Sequence, residues 1–318
     1  MPDSGDFAER DGEVTVPADD LIQPFNLQAG RTSGPALTGR LTRLGAVADD
    51  VLTRHDYPEP VAALLAEALA LGATLAGALK FNGIFTLQIQ GDGPVSLVVV
   101  DIATEDAGAT FTLRGYAKFD SDALVPLESA TARALVGDGY LALTVDQGEH
   151  TERYQGLVEL VGDSLAEFAQ HYFRQSQQMD AAVMVASGRA ANGAWRAAGI
   201  MLQRVADQSP GILPSDHGDD PWRRNMMLMA TGTDSEMLDP DLTARRYLFR
   251  LFHEEGLRVT PPRRLVRGCR CSQARILNVL HQLPREELVD LSIDGAVEVT
   301  CEFCNELYLF DPQTLEPR

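Results

Sequence analysis

The amino-acid sequence predicts an α+β protein with an antiparallel-sheet-rich N-terminal domain carrying helices, a helical linker and a small cysteine-bearing C-terminal module. Three observations carry that expectation. From Ile84 to Val205, short segments with a period of two recur between glycine-containing turns. Helical stretches interrupt the strands without a regular strand-helix alternation, which favours α+β over repeated βαβ units. The only four cysteines lie near the C-terminus as two close pairs, Cys269-Arg270-Cys271 and Cys301-Glu302-Phe303-Cys304.

Residues 1–20 read as a disordered acidic tail containing Asp3, Asp6, Glu9, Asp11 and Glu13. This start lacks the basic and apolar regions of a signal peptide. Residues 21–207 form the expected N-terminal domain. Phe25 to Val51 shows little clear period, although Thr38 to Leu44 alternates weakly as a strand would. After the break at His55-Asp56-Tyr57-Pro58-Glu59-Pro60, an Ala-rich helix is expected from Val61 to Leu79. It imitates a membrane span, but alanine contributes little to insertion, so a buried helix is the expectation. Ile84–Gln90 and Val95–Val100 flank Gly91-Asp92-Gly93-Pro94 as a hairpin. Ala109–Phe119, Tyr140–Val145 and Tyr154–Val161 continue the strands. The two Gly-Asp-Gly segments lack the spacing of a phosphate loop and sit between strands, so they read as turns. Ser164-Leu165-Ala166-Glu167 is a capping box opening a helix with Leu165, Phe168 and Tyr172 on one face. Ala181–Ala186 and Trp195–Val205 are two more strands.

Residues 208–262 read as the linker. Gln208–Pro221 is rich in loop-forming residues. Met226-Met227-Leu228-Met229 suits adaptable packing. Asp239-Pro240 is taken as a helix start, with Leu248, Leu251 and Phe252 on one face and an end near Gly256. Such a helix needs a surface to dock on, because short helices are marginal in water. Residues 263–318 form the C-terminal module, in which Val297–Phe310 reads as strand, tight turn, strand, with Asn305 suited to the left-handed turn position.

The formal charge of −19, from 27 basic and 46 acidic residues, argues against nucleic-acid binding as the main activity. Four cysteines in 318 residues do not make a disulfide framework, and a cytoplasmic location is expected. The six histidines show neither metal spacing nor triad order, and no catalytic constellation is visible. Two close cysteine pairs separated by a spacer of 29 residues have the spacing of a four-thiolate zinc site formed by Cys269, Cys271, Cys301 and Cys304. Arg258, Arg263, Arg264, Arg267, Arg270 and Arg275 crowd the first pair. They would offset the net negative charge of a zinc tetrathiolate and keep released thiolates reactive. Spacing alone leaves two alternatives open: a constitutive zinc-stapled binding or regulatory module, and a redox switch.

Several stretches together resemble the bacterial 33 kDa heat-shock chaperonin family of redox-regulated holdases. They are His55-Asp56-Tyr57-Pro58, Leu79-Lys80-Phe81-Asn82-Gly83, Gln90-Gly91-Asp92-Gly93-Pro94, Leu135-Val136-Gly137-Asp138-Gly139-Tyr140, Glu152-Arg153-Tyr154-Gln155-Gly156, Gly199-Ile200-Met201-Leu202-Gln203 and His253-Glu254-Glu255. Cys269-Arg270-Cys271-Ser272 and Cys301-Glu302-Phe303-Cys304 with Tyr308-Leu309-Phe310 complete the set. The resemblance implies an ATP-independent chaperone, not an enzyme, that is inactive when reduced and zinc-bound. Oxidative stress would form Cys269–Cys271 and Cys301–Cys304 disulfides, release zinc, unfold the module and undock the linker. Unfolded client proteins and a homodimer on oxidation are the implied partners; nucleic acid and membrane are not. Met226, Met227, Met229, Leu248, Leu251 and Phe252 are the candidate client or linker-docking residues. The chain departs from the family pattern in its acidic N-terminal extension and its Pro-rich loop at Gln208–Pro221.

Overall fold

The computed structural model describes residues 19–28, 37–124, 130–148, 151–205, 221–284, 287–288, 292–293, 295–311 and 315. Most of the expected acidic tail and of the Pro-rich loop therefore lies outside the described residues. The elements in chain order begin with β1 (Leu21–Leu27), β2 (Leu37–Leu44), α1 (Ala46–Leu52), α2 (Glu59–Ala78), β3 (Ile84–Gly91), β4 (Val95–Glu105) and β5 (Thr110–Phe119). Then come α3 (Ser121–Leu124), α4 (Ala132–Val136), β6 (Gly139–Asp146), β7 (Tyr154–Glu159), α5 (Leu165–Tyr172), β8 (Ala181–Arg189) and β9 (Trp195–Arg204). The C-terminal third contains α6 (Pro221–Met229), α7 (Asp234–Leu238), α8 (Ala244–Phe252), β10 (Arg258–Val259), β11 (Arg263–Arg267), α9 (Gln273–Leu280), β12 (Ser292–Ile293), β13 (Ala296–Thr300) and β14 (Leu307–Phe310).

One large sheet runs β7-β6-β3-β4-β5-β11-β1-β2-β9-β8, with β10 on β1. Its pairings are antiparallel except β11 with β5. Strands from both halves of the curled sheet lie against α2: β4 and β5 on one side, β2, β9 and β8 on the other. This explains why the helix is buried nearly all round and carries no polar stripe. By length and hydropathy α2 would suffice to cross a membrane, but here it is the core. Its small residues let the sheet approach: a Cβ at Gly72 would lie 2.9 Å from Val100 Cγ1, and one at Gly77 2.8 Å from Ile22 Cγ2.

The β1-β2-β9-β8 half is covered on both faces. In β9, Ala197 and Met201 join the core around α2. Their alternate neighbours Ala198, Ile200 and Leu202 join a second core with Trp222, Met229, Met237, Tyr247, Leu248, Leu251 and Phe252. Phe25 stacks on Phe252 with centroids 5.7 Å apart, and Gly39 leaves the room its ring fills. Helices α6, α7 and α8 thus lie on the back of the sheet, with Trp222, Met229, Met237, Leu248 and Phe252 turned inward and Met227 and Phe249 left exposed.

The capping box at Ser164 and Glu167 forms as expected, and Asn305 takes a φ of 56°. Asp239-Pro240 does not start a helix. Asp239 follows the end of α7 and its carboxylate accepts from Asp241 N at 2.9 Å. The actual cap is Thr243, whose hydroxyl accepts from Arg246 N. An Asx turn competes with an Asp-Pro cap for the same side chain, and here the turn prevails. The helix proper ends at Phe252, and Gly256, with φ 63°, closes the following turn.

Two short elements escaped the periodicity. β1 is buried on both faces, and the seven-residue α1 is capped from outside its own segment, Asp20 Oδ1 accepting from Gly45 N and Val47 N. Asp19 is also tied down, to Arg196 at 2.6 Å.

Candidate metal centre

The cysteines sit at the junction of the last sheet strand and a small C-terminal fold. β11 delivers Cys269 and Cys271 just past the large sheet, Gly268 N donating to Leu113 O at 3.1 Å. Ser272 then caps α9. The second pair lies on the turn between β13 and β14, which close through Cys301 N to Glu306 O and Asn305 N to Cys301 O. The module has a small core of its own, Leu280, Leu288, Val297, Phe310 and Leu315, with Ile276, Leu277, Leu283, Val299 and Tyr308 packed against it.

The four Sγ atoms lie within 4.8 Å of one another. Cys269 is 3.7 Å from Cys301 and Cys271 is 3.4 Å from Cys304. A zinc–sulfur bond of about 2.3 Å sets tetrahedral sulfur–sulfur edges of about 3.8 Å, so the donor set and spacing fit a tetrathiolate metal site. All four cysteines are free thiols.

Ionisation within the cluster is uneven. Burial opposes charge on Cys269, but hydrogen bonds from Cys271 N and the neighbouring thiols outweigh it and bring the thiol down to about 6. Burial pushes the Cys301 and Cys304 thiols up. Thiolates this close repel one another, and a divalent cation at their centre removes that conflict. Tyr308 donates its hydroxyl to Cys271 Sγ at 3.2 Å; that bond is the main cause holding the phenol above its ordinary range.

The module is seated on the N-terminal sheet. Phe303, between the cysteines of the second pair, takes the Arg114 guanidinium on its face at 3.7 Å and meets Tyr116 edge-on at 4.7 Å. Asn305 Nδ2 donates to Arg54 O at 2.8 Å, and Lys118 pairs with Glu302 at 2.8 Å. Asp101, only 7% exposed, accepts from Thr86, Arg114 and Arg270. Arg114 also reaches Cys269 Sγ at 3.8 Å. Sequence reasoning found the four cysteines and the basic flank, but missed Asp101, Arg114 and Tyr308. One signal was present: Asp101 interrupts the apolar run Val98-Val99-Val100-Ile102.

Of the candidate docking residues, Leu248, Leu251, Phe252 and Met229 are buried against the sheet, Met226 is half-buried and Met227 is 62% exposed. They form no common site with the cysteines: they pack over β1, β2, β9 and β8, while the module is seated on β5 through Arg114 and Tyr116.

Fold and site define an α+β protein whose four-cysteine, metal-competent module is docked on a large curled sheet. The Hsp33 protein family model matches residues 26–311, and the chain belongs to that family. It is 40% identical over 303 residues to the 33 kDa chaperonin of Caulobacter vibrioides, covering 92% of this chain and 95% of that protein. The 33 kDa chaperonin of Pseudomonas fluorescens is 37% identical over 277 residues, covering 86% of each. The crystal structure of the 33 kDa chaperonin of Thermotoga maritima superposes with a TM-score of 0.73 at 21% identity, covering 93% and 96% of the two chains, and shares the fold.

Proposed function

We propose that this chain is a redox-regulated, ATP-independent holdase of the bacterial cytoplasm, using no catalytic residues and capturing unfolding proteins under oxidative stress. The observation that carries the reading is the convergence of Cys269, Cys271, Cys301 and Cys304 within 4.8 Å, in a module with a small core of its own, while Met229, Leu248, Leu251 and Phe252 of the linker lie sequestered on the sheet. The four cysteines would hold zinc, which supplies the cross-link that keeps the module folded; in small domains such sites provide most of the folding free energy.

Oxidation acts on the thiolates. Each pair gives two electrons to a peroxide, forming one sulfur–sulfur bond. Two pairs, two hydrogen peroxide molecules and four protons yield two disulfides, four waters and a free divalent cation. The proposed pairing is Cys269–Cys271 and Cys301–Cys304. In the folded module the contacts at 3.4 and 3.7 Å run between the pairs, and all four sulfurs lie within 4.8 Å of one another. Its unfolding removes support from the linker of residues 208–262, which undocks and exposes Met226, Met229, Leu248, Leu251 and Phe252 to clients and to a second copy. The module itself is residues 263–318, its first strand β11 belonging to the large sheet. The charge of −19 disfavours nucleic acid as a partner.

The test treats reduced, zinc-loaded protein with peroxide at elevated temperature. Zinc release is followed with a chromogenic chelator, and client aggregation by light scattering. Protection that rises as zinc leaves, with disulfides mapped within each pair, supports the reading. Protection that is equal before and after peroxide supports a constitutive zinc-stapled module and overturns it.

A further inference from the structure

We propose that Arg114, contributed by the N-terminal sheet, is a positioning residue of the four-thiolate centre, so that seating of the module on β5 sets how tightly the metal is held. This rests on the zinc reading above. Arg114 does three things at once. Its Nε and Nη2 clamp Asp101 Oδ2 at 3.0 and 2.7 Å, its Nη1 reaches Cys269 Sγ at 3.8 Å, and its guanidinium plane lies 3.7 Å from the Phe303 ring centroid. Phe303 belongs to the turn that carries Cys301 and Cys304, so one side chain of the sheet touches both halves of the ligand set. Arg114 is itself fixed from behind. Asp101 is buried, bonded to Thr86 at 2.7 Å, and shared with Arg270, which stands between the two cysteines of the first pair.

The charges have the sign the centre needs. A zinc tetrathiolate carries a net charge of about −2. Arg114 and Arg270 with Asp101 leave one uncompensated positive charge beside it, in a half-buried setting where screening is reduced. A guanidinium donating to a thiolate favours the ionised, metal-binding form. The coupling is reciprocal: if Arg114 tightens metal binding, bound metal tightens the module's seat on β5 by the same factor. Whatever loosens β5 or the seat would then lower the oxidant level needed to expel the metal.

The experiment measures zinc affinity of the reduced full chain by competition with a chromogenic chelator, at low and high salt. Arg114→Met keeps an unbranched apolar stem of similar reach and removes charge and fork; Arg114→Lys keeps the charge. Zinc affinity of Arg114→Met should fall about tenfold to a hundredfold, the loss expected for one hydrogen bond to a charged acceptor. Arg114→Lys should fall between Met and wild type, and the wild-type advantage should shrink in high salt, which a purely packing role would not produce. Phe303→Leu removes the ring that the Arg114 guanidinium lies on while changing no charge and should also weaken zinc binding, giving an independent reading should Arg114→Met not fold. Wild-type binding with Arg114→Met or Phe303→Leu within twofold of it would overturn this inference alone. A wild type that binds no zinc would overturn the reading beneath it.

Discussion

Replacing Phe252 with alanine should unlock the linker without touching the thiols. The side chain is fully buried and stacked on Phe25 across the β1 face. It belongs to the linker core with Tyr247, Leu248 and Leu251, separate from the small core of the cysteine module. Truncating such a phenylalanine costs about 3–5 kcal/mol, of which about 1 kcal/mol is the ring pair. Gly39 and Phe25 cannot both close the void, because Phe25 already fills the space above Gly39. At about 1.4 kcal/mol per decade, undocking of α8 becomes at least about a hundredfold more frequent. Limited trypsin digestion reads this directly: Arg245 and Arg246 are exposed on α8 but protected by its helical conformation. Cleavage there should accelerate by that factor in reduced, zinc-loaded protein, provided opening is fast relative to cutting. The same sample should show partial client protection with zinc content unchanged, against peroxide-treated wild type as the full response. Wild-type cleavage rates and no protection would refute the idea that this packed face is what keeps the protein inactive.

Chelating the metal from reduced protein should expose the segment from Arg275 to Phe310 to proteases while far-ultraviolet circular dichroism retains most of the N-terminal signal. Glu67, on α2 beside Ser187, is pushed up to about 7 by burial. The folded state thus binds a proton that the unfolded state has released, and stability falls as pH rises from about 4.5 to 7. The loss is up to about 3 kcal/mol at about 1.4 kcal/mol per unit. Glu67→Gln should flatten that slope and raise Tm at pH 8 but not at pH 4; an unchanged slope would count against it. Gly72→Val should lower the Tm of the N-terminal domain by several degrees, since the added Cβ would lie 2.9 Å from Val100 Cγ1 and overpacking costs about 1–3 kcal/mol.

Local chemistry made much of this protein legible before any fold was known. Thiol spacing marks a metal site because tetrahedral coordination needs close ligand pairs, and Cys269, Cys271, Cys301 and Cys304 converge accordingly. Alternation marks strands where one face is wet, and capping residues mark helix starts, as at Ser164. Where both faces are buried the signal vanishes, as in β1, and where an Asx turn competes, as at Asp239, it misleads. What only the tertiary structure decided is which distant groups meet. Arg114 and Asp101 lie more than 150 residues from Cys269 and Cys271 in sequence, and the single parallel pairing of β11 on β5 brings them to the thiols. Likewise α8 is amphipathic on its own account, but the surface that receives it is the reverse side of β1, β2 and β9. Periodicity reports that a face must be covered, and not by what, because burial depends on neighbours in space and the pattern records only neighbours along the chain.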